Sequence, residues 1–264
     1  MHNIIILGTA RSGTSLVTSL FRNAGCYCGD NYVPARVSNP TGFFEDSVVN
    51  QINDDILARI FLTKFLRRLP KMLRPRLISD RRALWLAAPR FALPFVPKRI
   101  IAMMRERVSR TPFCFKDPRF SVTLRYWRPW LPPETRFLVV FRDPHVTVNS
   151  MLREAEEGFV PPIEMNARDA YKTWHRSYKT ILSASLDGES WLFVNYNDVL
   201  NGSAVPAIAA FADASLETSL IDPRFSRSSG AQAASSRDRA ASACETLFAI
   251  LQAKSERDKS FEKS

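Results

Sequence analysis

Four short segments of the chain are apolar at every position: 4–7, 113–115, 137–141 and 191–194. A strand with one wet face alternates apolar and polar residues. A strand buried on both faces, as in a parallel sheet, does not. Each run ends in polar or charged residues: GTARSGTS after the first, then KDPR, RDPH and NYND. Between the runs the spacing becomes helical, at 13–24, at 46–60, from Pro144 onward, at 163–186 and at 240–254. In the 163–186 segment Trp174, Tyr178, Ile181 and Leu182 fall on or near one face. This alternation predicts a three-layer α/β fold with a central parallel sheet of about five strands and helices on both faces. Open α/β sheets bind ligands beyond the C-terminal ends of their strands, so four polar endings predict one site at one rim. A long, mostly helical insertion occupies about 46–110, and the polar tail 255–264 is expected to be flexible.

At 264 residues the chain fits one domain spanning 1–264. Its net charge of +11 calls for an anionic ligand or surface. That charge is local: residues 56–110 hold 15 Lys and Arg against Asp80 and Glu106, interleaved with Phe, Leu, Trp and Pro. The region reads as a cap over an acidic glycan or lipid acceptor, as a peripheral membrane contact, or as a solvated arginine-rich face. No nucleic-acid recognition motif accompanies it, so nucleic acid is not expected as a partner. Cys26, Cys28, Cys114 and Cys244 have neither disulfide-framework nor metal spacing and read as reduced thiols. No metal is expected. With no leader pattern and no apolar run of about 18 residues, the expected location is cytoplasmic, with membrane association limited to the 56–110 surface.

The first polar ending carries the chemistry. In GTARSGTS, Gly8 and Gly13 allow close backbone approach, and a helix follows directly. Backbone N–H groups, the helix N-terminus, Arg11 and the hydroxyls of Ser12, Thr14 and Ser15 together suit an anion without a metal. The lysine of an ATP-hydrolysing loop is absent, since Thr14 stands after Gly13. A plain tight turn would show the same glycines. The third ending adds Arg142 at a strand end and Ser150 eight residues on, about two turns up a helix opened by Pro144. An Arg and a Ser hydroxyl so placed suit a second phosphate.

Together these elements resemble the PAPS-dependent sulfotransferases, a family with a P-loop-like fold. The resemblance rests on strand–GTARSGTS–helix, then strand–FRDPHVTVNS–helix, with NPTGFFED (39–46), FKDPR (115–119) and VNYNDVL (194–200) in the family's order. It implies that Arg11, Ser12, Gly13, Thr14 and Ser15 hold the 5′-phosphosulfate end of 3′-phosphoadenosine-5′-phosphosulfate (PAPS). Arg142 and Ser150 then hold the 3′-phosphate, and adenosine 3′,5′-bisphosphate (PAP) is the product. It implies sulfuryl transfer by in-line displacement to a hydroxyl or amine of a carbohydrate, lipid or small molecule. Arg11 would neutralise the leaving group, with Lys116 as a second candidate. Glu45 takes the place of the family's glutamate and would be the general base, its pKa raised by burial beside two phenylalanines. It could equally cap the helix that follows. Tyr196 is the candidate for adenine, and Arg224 and Arg227 for further 3′-phosphate contacts. His145 and His175 read as structural. Arg11 stands where cytosolic members carry Lys, Asn197 stands where Glu is common, and the basic insertion matches no family element, so the acceptor is unassigned. A small-molecule kinase, or a membrane-surface protein with a vestigial nucleotide pocket, remains the alternative.

Overall fold

The computed structural model describes residues 1–33, 42–62, 96–157, 164–185, 190–221 and 239–261. Most of the basic stretch, residues 39–41 of NPTGFFED, and Arg224 and Arg227 lie outside the described residues.

Strands β1 (Ile4–Leu7), β2 (Cys114–Lys116), β3 (Arg136–Phe141) and β4 (Trp191–Asn195) form one sheet in the order β2-β1-β3-β4. Every pairing is parallel: Ile6 lies opposite Lys116, Leu7 opposite Val139, and Phe141 opposite Asn195. The sheet has four strands among the described residues where about five were expected. The chain leaves β1 for one neighbour and later returns to the other side. The crevice beyond the β1 and β3 ends is therefore a topological switch point, where such folds place ligands.

Both sheet faces are covered, which explains the unbroken apolar runs. Ile5, Leu7, Phe115, Phe137, Val139, Phe141 and Phe193 face one core. Helices α2 (Ser47–Leu62), α3 (Lys98–Val108), α4 (Phe120–Trp127), α5 (Pro144–Glu157), α6 (Ala167–Ala184) and α9 (Arg239–Phe261) contribute to it. Ile4, Ile6, Leu138, Val140, Leu192 and Val194 face the other core, against α1 (Thr14–Asn23), α7 (Tyr196–Leu200) and α8 (Val205–Ala212). Cys26, Cys28 and Cys114 pack in that second core as free thiols. None of the described helices is long and apolar enough to cross a membrane.

The last helix runs further than the 240–254 expected. Helix α9 continues past 255 to Phe261. Ser255 is buried, and the Asp258 carboxylate accepts the Phe193 N–H of edge strand β4 at 2.9 Å. Polar composition concealed a helix whose far end satisfies a sheet edge.

Candidate active site

β1 turns through Gly8–Gly13 into α1. A Cβ at Gly8 would lie 2.6 Å from both Ser12 Oγ and the Val140 carbonyl oxygen. Arg11 (φ 67) and Gly13 (φ 93) are both left-handed. Left-handed residues in a turn direct successive backbone N–H groups toward one point, and the N-cap residue of α1, Gly13, has no side chain to cap it. Ser12 is fully buried, its hydroxyl donating to the Thr9 carbonyl at 2.7 Å. Thr14 is buried, and its carbonyl accepts the Thr18 hydroxyl. Ser15 donates to the Phe43 carbonyl at 3.2 Å, tying α1 to the segment that leads to Glu45. The Ser12 and Ser15 protons are engaged on carbonyls, which leaves backbone N–H groups, Arg11 and the Thr14 hydroxyl as this loop's candidate donors to a ligand.

Asp143 caps α5, accepting the N–H groups of His145 at 2.8 Å and Val146 at 3.0 Å. Two turns on, Ser150 accepts from Arg11 Nε at 3.0 Å, and Glu154 Oε2 lies 3.4 Å from Arg11 Nη1. The Arg142 guanidinium lies 4.5 Å from the centre of the Tyr196 ring. That ring in turn covers Gly13, whose Cβ would come within 1.9 Å of Tyr196 Cδ2. Burial pulls the Arg142 pKa below its ordinary value, and the nearby charges of Arg11 and Arg153 act in the same direction. Arginines concentrated in this way favour an anion. His145 points elsewhere, its ring nitrogens 2.7 Å from the Tyr171 hydroxyl and 3.0 Å from Glu245 Oε1.

On the β2 side, Phe44 is left-handed (φ 50) just before Glu45, an uncommon conformation for a non-glycine residue. Glu45 Oε1 accepts from Lys116 Nζ at 2.6 Å, and Oε2 accepts from Asn50 at 2.9 Å. The helix cap is Asp46, which accepts the Val49 N–H at 2.8 Å. The expected rise in the Glu45 pKa is corrected. Burial pushes the carboxyl up, but Lys116 and Arg119 more than offset it, leaving it below the ordinary value. Asp117 beside them moves the other way. Burial and the Glu45 charge push it to about 6, although Arg119 and Asn53 oppose the shift. Arg119 also pairs with Asp54 at 2.8 Å.

The profile of the sulfotransferase family matches residues 3–217. The chain belongs to the sulfotransferase family. Among solved structures it is similar to the sulfotransferase domain of the Synechococcus PCC 7002 olefin synthase, at 17% identity over 94% of each chain, with a TM-score of 0.51. It is also similar to sulfotransferase STF9 from Mycobacterium avium, at 14% identity over 94% of this chain and 75% of that one, with a TM-score of 0.48. At 17% identity the first likeness speaks for the fold alone. A search of curated sequences returns no match.

In this sulfotransferase, Arg11, Gly13, Arg142, Ser150 and Tyr196 meet across the β1–β3 crevice, while Glu45 and Lys116 pair on the β2 side. Motif reading missed Tyr178. Its buried hydroxyl donates to the Val140 carbonyl at 2.9 Å and accepts the Thr9 N–H at 3.5 Å, bracing the first loop from α6. Burial raises its phenol pKa well above the ordinary value. Its only sequence signal was a place on the apolar face of a helix. Tyr178→Phe is expected to cost about 1–3 kcal/mol by leaving a buried carbonyl and N–H unpaired. Urea unfolding measures this, and an unchanged midpoint would remove Tyr178 from the bracing role.

Proposed function

We propose that this sulfotransferase takes its sulfuryl group from PAPS and transfers it to a hydroxyl or amine of the acceptor. The observation that supports this reading is the convergence of Arg11, Arg142 and Ser150 beyond a left-handed glycine loop. The residues fit a nucleotide with two phosphate ends. Loop N–H groups and Arg11 suit the 5′ side, Arg142 and Ser150 suit a 3′-phosphate, and Tyr196 offers an aromatic face near both. The acceptor oxygen or nitrogen bonds to sulfur as the sulfur–oxygen bond to the 5′-phosphate breaks, and PAP leaves with the electron pair. Charge builds on the bridging oxygen, and preorganised cations such as Arg11 and Lys116 stabilise it. Glu45, held ionised by Lys116, is in the form that accepts the acceptor's proton.

Calorimetric titration with PAP, 5′-AMP and Mg-ATP tests the reading. PAP is expected to bind best and without magnesium. Arg142→Ala removes a charge-assisted contact and should weaken PAP roughly 10–100-fold while leaving 5′-AMP little changed. Equal binding of PAP and 5′-AMP by the wild type would overturn it.

A further inference from the structure

Glu154 belongs to none of the motifs. It sits one turn beyond Ser150 on α5, and positions four apart on a helix are neighbours. Both residues address one guanidinium, Ser150 through Arg11 Nε at 3.0 Å and Glu154 through Nη1 at 3.4 Å. The Arg11 and Glu154 side chains are 22% and 12% exposed, so the pair is shielded enough to hold more firmly than a surface ion pair. Arg142 and Arg153 lie close by. A carboxylate in such a group opposes the binding of any phosphate, so its place there needs another explanation. Fixing the direction of a long, flexible arginine supplies one.

We propose that Glu154 is a positioning residue that holds the Arg11 guanidinium on Ser150 and so sets the preference for a nucleotide bearing a 3′-phosphate. This rests on the PAPS reading. Glu154→Gln keeps the size and removes the charge, with two separable effects. Weaker repulsion helps PAP and 5′-AMP alike, and any loss at the 5′ side, where Arg11 serves both ligands, is shared as well, whereas only PAP loses through Ser150.

The test is calorimetry with PAP and 5′-AMP on the wild type, Glu154→Gln and Glu154→Asp. In Glu154→Gln the dissociation constant of 5′-AMP divided by that of PAP should fall at least about 5-fold, whatever shift the two ligands share. Glu154→Asp, which keeps the charge, should be intermediate. A residue that merely supports the fold would weaken both ligands in parallel. An unchanged ratio in Glu154→Gln, or a parallel weakening, overturns the inference while a wild-type preference for PAP leaves the PAPS reading standing. No preference in the wild type overturns both, and that outcome is visible without any variant.

Discussion

Gly13→Ala is expected to weaken PAP binding at least about 100-fold while the protein stays folded. A left-handed φ of 93 costs an ordinary residue about 1–2 kcal/mol. The larger effect is local, because the new methyl would sit 1.9 Å from Tyr196 Cδ2. Tyr196 is buried beneath Arg142, 4.5 Å from its ring centre, so the ring cannot yield without moving that arginine. One methyl group would therefore disturb the loop, the Tyr196 ring and Arg142 together. Gly202→Ala is the control. Gly202 is also left-handed (φ 81), but nothing among the described residues lies within 4 Å of its Cβ position. It should lose only about 1–2 kcal/mol of stability and keep wild-type binding. Calorimetry and urea unfolding on both variants separate the two effects, and near-normal binding by Gly13→Ala would take Tyr196 out of the site.

Lys116→Met is expected to cost about 3–5 kcal/mol, the usual result of removing one partner from a buried ion pair. Lys116 and Glu45 are 3% and 11% exposed at the side chain. The sign of the Glu45 shift should also reverse. In the wild type its pKa is depressed, so it contributes stability above the ordinary carboxylate range, and that contribution is lost as pH falls through the folded value. Without Lys116, burial dominates and the pKa rises. Glu45 then costs stability at neutral pH, and acid relieves the cost. The stability gap between the two proteins should therefore narrow as pH falls through the variant's raised Glu45 value and then through the wild type's depressed one. Asp117, raised to about 6 in the wild type, costs stability there as pH climbs from the ordinary value through 6. Carbon-detected NMR of the Glu45 carboxyl reads the shift directly, and a Glu45 pKa still depressed in Lys116→Met would sink the account.

The strands were legible because burial on both faces leaves an unmistakable run. Ile4–Leu7 appears with the expected bounds, and the other three differ by a residue at their ends. The convergence of the GTARSGTS and FRDPHVTVNS segments at one rim was legible because each follows a buried strand, and parallel strands deliver their C-terminal ends to the same side. What escaped was set by contacts between distant parts of the chain. Glu45 looked like a carboxyl raised by two phenylalanines, and its true neighbour is Lys116, 71 positions away. Nothing local in 255–264 promises a helix, yet Asp258 finds an edge-strand N–H to satisfy. Tyr178 and Glu154 sit on helical faces whose pattern reports burial and not the loop they touch.

Strand β1 lies between β2 and β3, and that placement bears on how the protein is made. Neither neighbour is close in sequence: Ile4 pairs with Cys114 on one side and with Arg136 on the other. A ribosome adding about 5–20 residues per second leaves Ile4–Leu7 without either partner for several seconds. For that interval the most apolar strand of the sheet is a free sticky end. Its contacts are also of the non-local kind that form slowly. The first loop cannot take its shape until β3 supplies the Val140 carbonyl and α6 supplies Tyr178, so the candidate site waits on residues made long after its own loop.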